Sequence, residues 1–297
     1  QTSRRDALAY MSVLCLNADC PSPVGPEQVE LCHEQVQALL LDTPTSALVD
    51  LLGDIRSDNL MTRGLIEQAG PLLHLADRSL LLSKIVHVAA ERCVQEQRMT
   101  DAIILFNYAQ ERDTVVSVLN RELGALLMEP ADLSDWTAPL QEGTLPLTSS
   151  THIVLLARAV LANYEQQGHT SGQMDVCRTL LGLKQAASLY HSEQLTSALQ
   201  VLESLHVLPL DAESRKDVVS ITRKAESFKL YDDSITMNFS DIVLMAMNLL
   251  YKLHQSLKES MERTNSVVLF EYQSQARALM MWAGMLRFRM SNETYCQ

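Results

Sequence analysis

Apolar residues recur at intervals of three and four along almost the whole chain, and nowhere do four or more residues alternate strictly with β-branched enrichment, the pattern of a strand. A period near 3.6 gives each segment one oily face, which leaves water only against another helix. The stretch MTDAIILFNYAQERDTVVSVLNREL, Met99 to Leu123, shows the plan best. Ala102, Phe106 and Ala109 share a face with Ile103 beside them, QERD is a turn, and Asp113 stands where a cap is needed for a second helix carrying Val115, Leu119, Leu123 and Leu126. Two stripes joined by so few residues bury both faces only as an antiparallel pair. The same plan, Thr-x-Ala-apolar, returns in TSALQVLESL from Thr196, so helix hairpins are used repeatedly.

Other segments fit the scheme. Leu8, Met11, Leu14 and Cys15 stripe a helix from Arg4 to Asn17, and ADCPSPVGPEQ ends it. Pro26 is placed to open the next helix, with Glu27 in its first turn and Val29, Cys32, Val36 and Leu39 on one face. Thr43 and Pro44 read as N-cap and first residue of a short helix that Gly53 terminates, and another short helix follows Thr62. Leu81, Ile85 or Val86, Ala89 and Cys93 mark a five-turn helix from Asp77 to Gln97. Helices are expected again at 152–166, 174–190, 193–205, 240–262 and 265–286, with Asp211 as a cap after Pro209 and essentially no sheet anywhere. Only EPADLSDWTAPLQEGTLPLTSS, with three prolines and no period, breaks the rhythm. It divides the chain into 1–128, an irregular loop 129–148, and 149–297, and Trp136 within it is a candidate docking anchor. The fold class is therefore all-α.

Charge and motif content exclude several functions. With 24 basic against 36 acidic residues the net charge is −12, and no Lys/Arg cluster exists, so nucleic acid is not an expected direct partner. The longest apolar run, HIVLLARAVLANY, is interrupted by Arg158, so membrane insertion is not expected either, and the N-terminus shows no signal-peptide pattern. Cys15, Cys20, Cys32, Cys93, Cys177 and Cys296 form no C-x-x-C pair, and Cys15, Cys20 and Cys32 with His33 match no zinc spacing, so no metal or cofactor is expected. Hydrolase, metalloprotease, phosphate-loop and dinucleotide motifs are absent, His87 reads as a helix-edge residue, and Asp232 and Asp233 read as caps. No catalytic residue is assigned. The sequons at Asn238 and Asn292 read as chance matches.

What remains is a binding protein. Eight of the thirteen methionines, Met237, Met245, Met247, Met261, Met280, Met281, Met285 and Met290, lie in the last two helices and their flanks. Pliable thioether surfaces suit an amphipathic helix laid in a groove, and Met245, Leu249, Met280 and Met285 are the candidate contacts.

Four blocks carry a resemblance: SVLCLNADCPSPVGPEQVELCHEQVQALLLDT, MTDAIILFNYAQERDTVVSVLNRELGALL, LTSALQVLESLHVLPLDAES and SQARALMMWAGMLRFRMSNETY. In this order, from residue 12 to the end, they resemble the C-terminal half of the nucleoporin-interacting component family, large scaffold nucleoporins of the nuclear pore inner ring. The resemblance implies an irregular α-solenoid of stacked antiparallel helix hairpins, without enzymatic activity, at the nuclear pore complex of the nuclear envelope. It implies partners that are other nucleoporins, bound through short linear motifs, among them a small membrane-associated nucleoporin. Two alternatives remain at this stage: a helical-repeat adaptor of a vesicle coat or tethering complex, and an all-α enzyme with a dispersed active site.

Overall fold

A computed structural model describes residues 2–44, 47–55, 61–75, 77–131, 136, 153–211, 217–259 and 266–293. Contacts divide the chain into two compact units, Gln1–Val118 and Leu119–Gln297, with the division inside a helix and not at the 129–148 stretch. Of that stretch only 129–131 and Trp136 belong to the described residues.

The first unit contains α1 (Thr2–Ser12), a 3-10 turn (Val13–Asn17), α2 (Val24–Asp42), α3 (Leu48–Leu52), strands β1 (Gly53–Ile55) and β2 (Met61–Arg63), and α4 (Leu65–Ala69). It continues through α5 (Arg78–Leu81), a π turn (Leu82–His87), α6 (Val88–Gln95) and α7 (Met99–Tyr108) into α8 (Arg112–Ala125). β1 and β2 pair antiparallel, Asp54 opposite Thr62, a three-residue ladder that the periodicity did not announce. Gly53 still ends α3 as expected, at φ 92°, but it opens a strand there. Thr43 is not an N-cap: its hydroxyl donates back to Leu39 O at 2.6 Å and it closes α2. α2 itself starts at Val24, so Pro26 lies inside its first turn. Asp113 likewise lies inside the first turn of α8. The long helix from Asp77 is present as one run with the π turn in its middle.

The second unit contains α9 (Ile153–Gln166), α10 (Gly172–His191), α11 (Leu195–Ser204), α12 (Val218–Phe228), α13 (Asp233–Thr236), α14 (Phe239–Glu259) and α15 (Ser266–Glu293). Neighbouring helices pack in sequence, α10 on α11 and α14 on α15, as α6 packs on α7 in the first unit. Each unit thus stacks hairpins in the manner of an irregular α-solenoid, in which one repeat borrows core from the next.

The echo between the two hairpins is a backbone fact. Gln97 and Glu193 both turn left-handed, at φ 60° and 61°, and the residues after them, Arg98 and Gln194, adopt φ/ψ of −89°/64° and −83°/64°. Arg98 N–H donates to Cys93 O (2.8 Å) and Gln97 N–H to Val94 O (3.2 Å). Gln194 N–H donates to Leu189 O (2.9 Å) and Glu193 N–H to Tyr190 O (3.2 Å) in the same way. These paired bonds take the last carbonyls of the helix and reverse the chain in a few residues. Ala102 and Ala198 then sit at equivalent depth, 0 % and 1 % exposed, where a larger side chain would push the helices apart. Gln110 (φ 60°) and Gly168 (φ 71°) close α7 and α9 with the same pair of bonds.

Buried polar groups lock what hydrophobic contact brings together. In the second unit Lys184, 3 % exposed, sends its ammonium to Leu126 O and to Glu129 O (3.1 Å), carbonyls just beyond α8, the first of which also accepts Glu129 N–H (3.1 Å). Burial lowers its pKa. Ser188 Oγ, one turn on, accepts Ala131 N–H at 3.3 Å. Gly124 on α8 lies so close to α13 that a Cβ there would stand 2.8 Å from Ser234 O. Asn238 spans the same contact, donating to Gly124 O and Ser234 O at 2.9 Å, so this asparagine side chain is engaged in the fold. Trp282, 0 % exposed, stacks edge-on against Phe228 (5.1 Å, 80°) and tilts against Phe239 (5.4 Å), joining α12, α14 and α15.

Three outcomes are expected in equilibrium denaturation. Lys184→Met takes the ammonium donor from Glu129 O and one of two donors from Leu126 O, and lowers stability by about 1 kcal/mol. Glu193→Gly relieves a left-handed residue bearing a side chain, so despite the freer unfolded chain it raises stability or leaves it unchanged within about 0.5 kcal/mol. Glu193→Val, by contrast, lowers stability by more than about 1 kcal/mol.

Candidate partner-binding surface

α14 and α15 form an antiparallel pair whose inner faces are apolar. Ile242, Met245, Ala246, Leu249, Leu250 and Leu253 of α14 face inward, as do Ala278, Leu279, Trp282 and Leu286 of α15. Their solvent side is also partly apolar, which is less usual for a water-facing helix. Leu244 and Tyr251, one heptad apart on α14, are 59 % and 66 % exposed, and Met280 on α15 is 56 % exposed.

The register of the two rows is fixed by a hydrogen bond on the solvent side: Gln273 Nε2 donates to His254 Nε2 at 3.1 Å. From that crossing α14 runs back through Tyr251, Met247 and Leu244 at helical spacing, while α15 runs forward through Arg277, Met280 and Gly284. Gly284 leaves open space where a side chain would be. Arg277 is exposed and forms no ion pair among the described residues. Leu244, Tyr251 and Met280 thus stand exposed on one hairpin with Arg277 as an exposed cation beside Met280, a surface that suits the apolar face of an amphipathic helix.

The candidate residues therefore part company. Met280 lies on this face. Met245 and Leu249, 6 % and 0 % exposed, are core residues that support it from beneath and meet no partner while the hairpin is closed. Met285 is half-buried towards α12, where Thr222 Oγ1 donates to its sulfur at 3.8 Å. Trp136 is half-buried with its indole N–H buried and unpartnered, and its chain neighbours lie outside the described residues. Leu244 and Tyr251, which methionine content does not single out, share this exposed face on a stripe of α14 with Asp241, Asn248 and Gln255.

Among the described residues no group of three His, Cys, Asp or Glu side chains is placed to hold a metal. Burial pushes the thiols of Cys32 and Cys177 up to about 12 and that of Cys93 to about 11, which keeps them protonated and non-nucleophilic. Asp232 is held below the usual carboxylate range by Ser234, whose hydroxyl (2.7 Å) and N–H (2.9 Å) it accepts as the cap of α13. His87 is pinned between Glu111 (2.7 Å) and Glu91 (3.3 Å) with its ring edge-on to Phe106, an edge residue that ties α7 and α8 to the π turn. No helix among the described residues is long and apolar enough to cross a membrane.

Comparison with known proteins places these features in a family. A family model described as Nup93/Nic96 matches residues 1–297. Nucleoporin NIC96 of Saccharomyces cerevisiae is 32% identical over 298 residues, covering 98% of this chain and 33% of that protein. Nuclear pore complex protein Nup93 of Xenopus tropicalis is 26% identical over 258 residues, covering 82% of this chain and 27% of that protein. The chain thus spans about a third of the length of the curated relatives it matches. The crystal structure of Chaetomium thermophilum Nic96 SOL aligns with a TM-score of 0.73 at 24% identity, over 97% of this chain and 43% of that one, and shows a common fold. With the family model running through the whole length of an all-helical stack, the chain belongs to the Nup93/Nic96 family.

Proposed function

We propose that this chain is a load-bearing stretch of a scaffold nucleoporin of the inner ring, acting at the nuclear pore complex of the nuclear envelope by holding short linear segments of other nucleoporins and catalysing nothing. The names of its relatives, a nucleoporin and a nuclear pore complex protein, support the place. The observation that carries the mode of action is the solvent face of α14 and α15, where Leu244, Tyr251 and Met280 stay exposed over a core that is already complete.

Such a face works through fit and rigidity. Trp282 and its aromatic neighbours set the spacing of the two helices before any partner arrives, so little ordering is asked of the scaffold on binding. Leu244, Tyr251 and Met280 take the apolar side chains of an incoming helix at positions i, i+3, i+4 and i+7, and Arg277 meets an acid on its rim. Met280 adapts its shape where Leu would not. A membrane-associated nucleoporin carrying such a segment would be tied to the ring through this contact without any part of this chain entering lipid.

Charge placed on the face tests the reading. Met280→Asp and Leu244→Asp, both at exposed sites, are expected to leave the thermal midpoint within a few degrees of the parent. They are expected to weaken calorimetric binding of amphipathic nucleoporin segments at least tenfold and to thin the nuclear-rim signal of a labelled full-length protein. Unchanged affinity in both variants would move the binding site elsewhere.

A further inference from the structure

The first unit holds an open cleft of about 800 Å³ between α2 and the π turn with α6. We propose that it is a separate binding site for an extended peptide segment that carries an acidic and a basic residue side by side. The site lies wholly in Gln1–Val118 and does not rest on the reading of α14 and α15.

The two walls bear opposite charge. α2 presents Glu30 and Glu34, one helical turn apart, and the facing wall presents Lys84 and Arg92 with Val88 between them at spacings of four. Glu30, Glu34, Lys84 and Arg92 line the same cleft, as does Asp19, and none of the five forms an ion pair among the described residues. Two carboxylates at i and i+4 repel each other and slightly destabilise an isolated helix, so α2 breaks a local rule here with no compensating cation. Local rules broken without internal compensation cluster at functional sites.

The backbone around the cleft is also exceptional. The π turn Leu82–His87 forms part of one wall, and Gln37, 5 % exposed, fixes it by donating from Nε2 to Lys84 O at 2.7 Å while its Oε1 has no partner among the described groups. That bond closes one end of the cleft. His74, at its margin, is left-handed at φ 53°. His33 is held on Leu73 O at 2.8 Å and lines the floor. π turns and left-handed residues with side chains are uncommon and concentrate at binding sites.

Dimension and charge together specify the occupant. From Lys84 to Arg92 the wall runs about 12 Å at the helical rise, the length of about four residues of extended chain. In an extended chain consecutive side chains point to opposite sides. An acid next to a base therefore reaches Lys84 and Arg92 with one side chain and Glu30 and Glu34 with the other. Two like charges in sequence, or opposite charges two residues apart, cannot do so, because one of the pair then faces its own sign.

Three blocked six-residue probes decide the matter when titrated into the full chain at low ionic strength: GAEKAG, GAEEAG and GEAKAG. The readouts are fluorescence anisotropy of labelled peptide and the imidazole resonances of His33 and His74, which report from the cleft itself. The adjacent pair is expected to bind at least fivefold more tightly than either control and to shift both histidines. Lys84→Glu and Glu34→Lys are each expected to cut that affinity at least fivefold with an unchanged melting curve. Equal affinity for the three peptides, histidine signals that do not move, or indifference to both substitutions would overturn the assignment.

Discussion

A helix exposes its last carbonyls, and everything in this architecture depends on taking them up without lengthening the chain. Among the described residues the solution at Gln97, Gln110, Gly168 and Glu193, and after the short turn ending at His74, is a left-handed residue followed by a bond reaching back five residues. Because the turn is short, the next helix returns alongside the last one and their apolar faces meet. Because both bonds are internal to the backbone, the turn makes little demand on side chains. Buried seams such as Ala102 or Ala198 against the preceding helix follow from that geometry, and the outward faces are left free for other use.

The helical faces were open to reading from the amino acids, and the reasons for the failures are physical. Cys32, Val36, Leu81, Ala89, Cys93, Phe106 and Leu119 are core residues as their spacing implies, since a period of 3.6 is imposed by burial on one side. Helix ends were harder. Thr43 looked like a cap at a start and serves at an end, because a hydroxyl can satisfy either terminus by turning to an N–H or to a carbonyl. The left-handed turns fall on Gln and Glu, residues with no marked preference for that conformation, so only the repeated flanking pattern betrayed them. The β1–β2 ladder is three residues long, too short for an alternation to register.

The binding face was half legible for a related reason. Methionine enrichment marked α14 and α15 but could not say which of their side chains face water, since a flexible apolar side chain serves a core and a contact surface equally well. Met245 fills the interior while Met280 faces water, each with neighbours of the opposite kind one or two residues away, Leu244 beside the first and Leu279 and Trp282 beside the second. Exposure is a property of three-dimensional neighbours. The heptad from Leu244 to Tyr251 became informative only once Gln273 and His254 had set one helix against the other.

The wide turn at Leu82–His87 has a consequence for how such a chain can change over time. A run that accommodates one surplus residue inside a helix keeps both ends where their neighbours require them, at the cost of one loosened rung. Deleting a single residue from α2 or α14, where no slack exists, would swing everything downstream by about 100° and strip the seam from its mate. The same deletion within 82–87 would merely tighten the spiral. A change of length at that rung would thus leave the rest of the ladder in step and fall only on the wall that carries Lys84.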